Sequence, residues 1–146
     1  MPRKEVTGMT GHYTHNIDTK GRLFIPAKLR EELGTTFHVT IGQDGCLAVF
    51  SDASWDALMD KLRAMPYSQV KRLREFFAYA ADCEPDAQGR ILIPALLRQK
   101  AALEKEVVIT GSFDRVEIWS AQRWAEMESD VFSTEELEKA MEELGL

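Results

Sequence analysis

Apolar residues in this chain fall in short runs, and a turn signal bounds almost every run. Tyr13–Ile17 alternates aromatic and polar positions with the two-residue period of a strand. Asp18-Thr19-Lys20-Gly21 then reads as a tight turn. An aspartate side chain can accept amides two residues on, and glycine adopts positive φ at no steric cost. Residues 21–25 (GRLFI) predict a second short strand, and residues 89–93 (GRILI) predict its counterpart. Pro26 and Pro94 follow, each placed as the first residue of a helix, where a missing N–H costs nothing. Ala27–Leu33 makes a short helix stopped by Gly34. Phe37–Ile41 and Val107–Thr110 are strands rich in β-branched residues. Asp44-Gly45 is a hairpin signal leading into Leu47–Phe50, and Ser112–Arg115 fills the same place before Val116–Trp119.

Helical spacing takes over between and after these strand groups. Ser54 is placed to cap a helix with Trp55, Leu58, Leu62 and Met65 on one face, ended by Pro66. Ser68 is placed to cap a second helix, with Val70, Leu73, Phe77, Ala80 and Ala81 on one side and Lys71, Arg72 and Arg74 on the other. Trp124 begins another helical segment, and Ser133-Thr134-Glu135-Glu136 is a capping-box pattern opening a last acidic helix to Leu144.

The pattern contains a duplication. DTKGRLFIPAKLR (18–30) and DAQGRILIPALLR (86–98) are identical at eight of thirteen positions, at an offset of 68. After a one-residue slip the match continues at offset 69: Val39 with Val108, Gly42 with Gly111, Ser51 with Ser120 and Trp55 with Trp124. Each unit is therefore β-turn-β-helix-β-turn-β. Two copies are too few for a solenoid, so the halves are expected to pack on each other about a pseudo-twofold axis. The expected organisation is a first repeat over 8–56, a helical insert over 57–80, a second repeat over 81–125 and an acidic helical tail over 126–146.

Composition and charge narrow the class. The chain has 146 residues, 45% hydrophobic and 29% charged, which fits a soluble globular protein of one domain. No apolar run approaches the roughly 20 residues of a membrane span. Met1-Pro2-Arg3-Lys4-Glu5 has no apolar stretch behind it, so no signal peptide is expected. Cys46 and Cys83 have neither metal-ligand nor redox-motif spacing, and read as packed, reduced thiols of a cytoplasmic protein. The formal net charge is −6, yet residues 1–30 carry +4 and residues 126–146 carry −7. A basic front end on an acidic protein can still meet a polyanion, because the local field matters more than the total.

The candidate chemistry lies in the repeated Asp-x-x-x-Arg turns, Asp18 with Arg22 and Asp86 with Arg90. Asp18 and Asp86, with Gly21 and Gly89, brace the turns. Each aspartate can also pair with its arginine and restrict its rotamers. Arg22 and Arg90 present planar forks suited to phosphate and to the O6/N7 edge of guanine. Lys20 adds a point charge to the first turn, while Gln88 in the same slot of the second can hydrogen-bond a base edge. His15, just before the first turn, is a further candidate phosphate contact. Arg30 and Arg98 read as solvated or pairing charges late in their short helices.

The two Gly-Arg-x-x-Ile-Pro-Ala-x-Leu-Arg strings resemble the AbrB-type swapped-hairpin domain. Two tandem copies with a helical insert, together with Gly11–Asp18 and Val116–Ser120, resemble the MraZ family over roughly residues 8–125. The resemblance implies an α+β, mainly β fold: two AbrB/SpoVT-like double-split β-barrel repeats with helices between and after them. It implies a sequence-specific, DNA-binding transcriptional regulator, associated with the nucleoid. Such a regulator would bind short direct repeats in the promoter of its own division and cell-wall gene cluster, as a ring-shaped homo-oligomer. It places DNA contact on Arg22 and Arg90, and implies no cofactor, metal, small-molecule substrate or membrane.

Two other classes are weighed against this. An enzyme needs a nucleophile, a base and an orienting group, or a metal set. His12 and His15 fall on opposite faces of one strand, His38 has no recognisable partner, and Asp18 and Asp86 each come with an arginine that favours the ionised form. The alternative that stays open is a ring-forming structural or interaction protein whose basic face is not its main site. Lys71, Arg72 and Arg74 read as a solvated helix face, and Trp55, Trp119 and Trp124 as core or interface.

Overall fold

The computed structural model describes residues 8–146. The first group of elements is β1 (His12–Asn16), β2 (Arg22–Phe24), α1 (Ala27–Leu33), β3 (Phe37–Ile41) and β4 (Leu47–Phe50). Helices α2 (Asp52–Arg63), α3 (Tyr67–Val70) and α4 (Arg74–Ala78) follow. β5 (Ala81–Cys83), β6 (Arg90–Leu92), α5 (Ala95–Lys100), β7 (Glu106–Gly111) and β8 (Val116–Ser120) then run in the order of the first group. α6 (Ala121–Ser129) and α7 (Val131–Glu143) come last.

The strands pair across the two groups rather than within each. β1 pairs with β7, and β5 pairs with β3, so each group lends its first strand to the third strand of the other. β4 and β8 pair at the centre of an open, antiparallel six-stranded sheet of order β1-β7-β8-β4-β3-β5. β2 and β6 form a separate two-stranded ribbon. Neither group satisfies its backbone donors and acceptors alone, so the two form one cooperative body.

The core is drawn equally from both groups. Leu23, Ile25, Leu29 and Leu33 meet Ile91, Ile93, Leu97 and Leu103 in a single cluster with the inward residues of the sheet. A fully buried aliphatic side chain of this kind contributes about 1.5–3 kcal/mol relative to exposure. A smaller cluster of Cys46, Val108 and Trp119 receives Trp124 and Met127 and seats α6. The insert is held by aromatic stacking: Trp55 lies between His38 (5.2 Å) and Phe76 (5.7 Å), and the Thr40 hydroxyl donates to the Phe76 carbonyl at 2.5 Å.

Several local expectations shift. Helix exceeds strand among the described residues, so the fold is α+β but not mainly β, and no closed barrel forms. The insert and the tail supply the extra helix. Pro26 and Pro94 stand one residue before their helices, with extended ψ of 141° and 144°, rather than as first helical residues. Ser51, not Ser54, caps α2, accepting the Ser54 amide at 3.2 Å; Ser120 does the same for α6 with the Arg123 amide at 3.0 Å. α6 therefore starts three residues before Trp124. Ser68 caps nothing: Pro66 precedes α3, and the expected helix breaks into α3, a 3-10 turn over 71–73 and α4, with Ala81 already in β5. Asp130 caps α7 through Phe132 N–H at 2.9 Å, so the Ser133 capping box lies inside the helix. The short side chain that first meets free amides takes the cap, ahead of the longer motif.

Candidate nucleic-acid interface

Asp18 organises the first turn with both carboxylate oxygens. Oδ1 accepts the amides of Lys20 (2.9 Å) and Arg22 (2.8 Å), and Oδ2 accepts Nε of Arg22 (2.7 Å). The Asp18 amide donates to the Arg22 carbonyl, and Gly21 closes the turn by donating to the Asp18 carbonyl, each at 3.0 Å. Gly21 sits at φ +87°, a region L side chains rarely adopt.

The second turn repeats this pattern more loosely. Asp86 Oδ1 accepts the amides of Gln88 (2.9 Å) and Arg90 (3.0 Å), and Oδ2 accepts Arg90 Nε at 3.2 Å. Gly89 has φ +79° and donates to the Asp86 carbonyl. The Gln88 side chain is turned back onto its own turn, where its Oε1 accepts from Arg90 Nη2 at 3.4 Å.

The β2–β6 ribbon sets the two turns side by side. Arg22 lies opposite Leu92, and Phe24 opposite Arg90, in antiparallel register. Leu23 and Ile91 are wholly buried beneath the ribbon, so Arg22, Phe24, Arg90 and Leu92 share the outward face. The arginines are about one-third exposed, and Arg90 Nη1 comes within 4.0 Å of Asp18 Oδ2. Lys20 is exposed at the tip of the first turn. His15 sits in β1 with its ring edge-on to Phe24, 5.1 Å away, which puts it beside this face. All nine residues expected at the site are thus gathered around one ribbon. Arg3 and Lys4, which contribute to the basic front end, lie outside the described residues.

Both aspartates are held ionised. The Arg22 backbone amide is the main influence on Asp18, and with the Arg22 side chain and the Lys20 amide it lowers the carboxyl from 3.8 to about 2 against a desolvation cost. Asp86 is also lowered, chiefly by the Arg90 amide. These carboxylates are therefore permanent acceptors at neutral pH and unsuited to acid–base exchange of protons.

Arg30 and Arg98 are placed otherwise than expected from the sequence. Rather than standing in solvent, Arg30 donates Nε to the Ile25 carbonyl (2.8 Å) and Arg98 donates Nε to the Ile93 carbonyl (3.0 Å). Each guanidinium lies over the glycine of the opposite turn: a Cβ built on Gly89 would meet Arg30 Cζ at 2.8 Å, and one on Gly21 would meet Arg98 Cζ at 2.8 Å. Their place in each Gly-Arg-x-x-Ile-Pro-Ala-x-Leu-Arg string was a signal, but it carries no information about which turn each would reach.

The other candidates separate from the site. His12 packs on Trp124 at 5.6 Å, on the face of β1 opposite His15. His38, without a partner in the sequence pattern, is flanked by Asp52 (2.5 Å) and Asp82 (2.9 Å) in a cross-link between β3, α2 and β5. Cys46 and Cys83 are buried and free, and burial pushes their thiols up to about 12 and about 11. Lys71, Arg72 and Arg74 are exposed on the insert. Among the described residues no helix is long and apolar enough to cross a membrane.

Comparison with known proteins decides the family. The profile described as "MraZ protein, putative antitoxin-like" matches residues 9–74 and again residues 76–145. The chain belongs to the MraZ family. A protein of Heliobacterium modesticaldum named transcriptional regulator MraZ is 54% identical over 118 residues, covering 79% of this chain and 82% of that protein. Its namesakes in Lachnoclostridium phytofermentans and Alkaliphilus metalliredigens are 45% identical over 138 residues and 46% identical over 140. Both alignments cover 93% of this chain, with 96% and 98% of the respective relatives. The two profile matches divide between Arg74 and Phe76, so that each MraZ match contains one of the Asp-x-x-x-Arg turns.

Proposed function

We propose that this MraZ-family chain is a sequence-specific DNA-binding transcriptional regulator, and that Arg22 and Arg90 make its principal base contacts. The observation that carries this reading is the pair of braced Asp-x-x-x-Arg turns held on one outward face of the β2–β6 ribbon. Lys20 contacts backbone phosphate beside the first turn, Gln88 supports Arg90 and reaches a base edge on release, and His15 adds a flanking contact. The units are read as AbrB-like double-split repeats over 8–56 and 81–125, with the insert over 57–80 and the tail over 126–146. The name of the relatives, transcriptional regulator MraZ, supports the same function.

The target is a set of short direct repeats upstream of the protein's own gene, in its division and cell-wall cluster, and the active form is a ring. One copy offers few phosphate contacts, so its binding is weak and salt-sensitive. A ring engages successive repeats, and effective concentration replaces single-site strength. α7 favours self-association: Leu137 and Met141, with Leu144 at the C-cap, form an exposed apolar stripe, and Val131 and Phe132 are exposed at the start of the helix. The protein then acts in the cytoplasm, on the nucleoid.

A mobility-shift titration tests this with duplexes carrying one or three upstream repeats spaced near one helical turn, about 10–10.5 base pairs. Tight binding is expected only with several repeats, and Arg22→Ala is expected to weaken it with fold and oligomer intact. Equal affinity for one repeat and three would contradict the ring; unchanged affinity of Arg22→Ala would contradict the base contact. The same acidic, apolar α7 would also suit a protein partner, which is the structural reading; retained DNA affinity without α7, alongside loss of a protein partner, would favour it.

A further inference from the structure

We infer that Leu92 is a specificity-determining residue that reads the C5 methyl group of a thymine, adding apolar readout of sequence to the arginine contacts. The inference rests on the reading of the ribbon face as the DNA interface.

Three features carry it. First, Leu92 lies on the outward face of the ribbon and is 58% exposed, while Leu23 and Ile91 beneath are wholly buried. A single exposed leucine needs no explanation on an ordinary surface. This one stands between Arg22 and Arg90, on a face that otherwise presents charge and hydrogen-bonding groups. Second, the equivalent apolar group of the first repeat is covered. Phe24, at an offset of 68 from Leu92, is half-buried, with the His15 ring edge-on at 5.1 Å and the Arg30 guanidinium over its face at 5.5 Å. Leu92 is thus the more open apolar side chain of the ribbon. Third, the register fixes its neighbour: Leu92 lies directly opposite Arg22. Side chains in such a cross-strand pair stand about 4.5–5.5 Å apart at Cβ.

The chemistry of the groove supplies the ligand. The major groove admits a two-stranded ribbon, and the thymine methyl is the apolar group displayed on its floor. With Arg22 on the O6/N7 edge of a guanine, Leu92 is one cross-strand step away. Successive bases are about 3.4 Å apart along a strand, so that step reaches the edge of an adjacent base pair. Leu92 has no donor or acceptor and gains nothing from phosphate or from the polar edges of guanine, adenine and cytosine. Against a thymine methyl, apolar surface leaves water on both sides. Arg22 then selects a guanine, and Leu92 selects a thymine beside it.

Full-length protein is titrated by fluorescence anisotropy onto an upstream duplex and onto duplexes in which thymines are replaced, one at a time, by deoxyuridine. The replacement removes the methyl group and keeps every hydrogen-bonding group of the base. One position, adjacent to a guanine, is expected to weaken the wild-type protein about fourfold, the worth of one buried methyl-sized group. Leu92→Ala is expected to bind the unmodified duplex about fourfold more weakly and to be indifferent to that replacement. Leu92→Met keeps apolar reach and is expected to retain the preference. The salt slope should be unchanged in both variants, because no charge is removed. Thermal melts identify any variant that unfolds, and Leu92→Gln, of similar length, then takes the place of Leu92→Ala. Wild-type binding that no thymine replacement alters, or a preference that survives in Leu92→Ala, would overturn the inference while leaving the arginine contacts standing. Absence of wild-type binding to every duplex would instead overturn the DNA reading of the whole face, and this inference with it.

Discussion

The two turns are built from the same parts and differ in how tightly they are braced. In the first, Arg22 Nε approaches Asp18 to 2.7 Å and the carboxyl is lowered to about 2. In the second, the matching contact is 3.2 Å, and Arg90 is shared among Asp86, Gln88 and the edge of Asp18. The first turn carries a formal +1 from Asp18, Lys20 and Arg22, while Gln88 in place of Lys20 leaves the second neutral. Their flanks differ as well: Phe24, with His15 against it, lies opposite Arg90, whereas Leu92, with Cys83 against it, lies opposite Arg22. Duplication thus supplied a shared frame, and a few substitutions made one turn rigid and cationic and the other looser and neutral. Under the proposed function, the first turn holds the DNA backbone and the second adjusts to the bases.

The frame itself should respond symmetrically. Leu23 and Ile91 lie directly opposite each other beneath the ribbon, both wholly buried. Leu23→Ala and Ile91→Ala are each expected to cost about 2–5 kcal/mol in denaturant unfolding, with similar values for the two. A loss at one position and none at the other would show that the ribbon is not a shared element.

The charge difference between the turns should be transferable. Gln88→Lys is expected to tighten DNA binding and steepen the salt slope by about 1, and Lys20→Gln to do the reverse. Equal slopes for both variants and the wild-type protein would place neither tip near phosphate.

A smaller asymmetry lies where the short helices end. Ala102, at φ +51°, occupies the place that Gly34 holds in the first group. Ala102→Gly is expected to stabilise the protein by up to about 1 kcal/mol, read as a raised melting temperature, because it removes the steric cost of that conformation. A lowered melting temperature would mean that the Ala102 methyl packs more than it strains.

The smallest effect is in acid. A carboxyl lowered by folding stabilises the folded state above its ordinary value and loses that contribution as pH falls through its folded one. Asp18 is therefore expected to stay ionised far below 3.8 and to release its grip on the first turn only near pH 2. Asp86, lowered chiefly by the Arg90 amide, is likewise expected to stay ionised below the ordinary carboxylate value and to keep the second turn braced there. Carboxyl-carbon NMR titration follows both; an Asp18 midpoint at the ordinary value would contradict the bracing.

Much of this was legible from residues alone. The repeated Asp-x-x-x-Arg string fixed the turn type, because aspartate, glycine and spacing act locally. Phe37–Ile41 and Leu47–Phe50 were legible to the residue for the same reason. The exchange of first strands, β1 to β7 and β5 to β3, left no trace in periodicity, since pairing partners are chosen by distant packing. The caps at Ser51 and Asp130 were hidden behind equally good candidates a few residues later. His38 and its two aspartates come from three separate elements, and nothing in their spacing links them. Arg30 and Arg98 were visible as repeated residues, but their reach across to the opposite turn depends on the ribbon register.

The central claim is that both turn tips touch one duplex. Lys20→Cys and Gln88→Cys, each carrying a thiol-linked photocrosslinker, test it most directly; buried Cys46 and Cys83, with thiols pushed up to about 12 and about 11, do not compete for the label. Both positions are expected to crosslink to the same upstream duplex, at neighbouring sites on its backbone. Crosslinking from only one position or from neither, with DNA binding retained, would contradict the account.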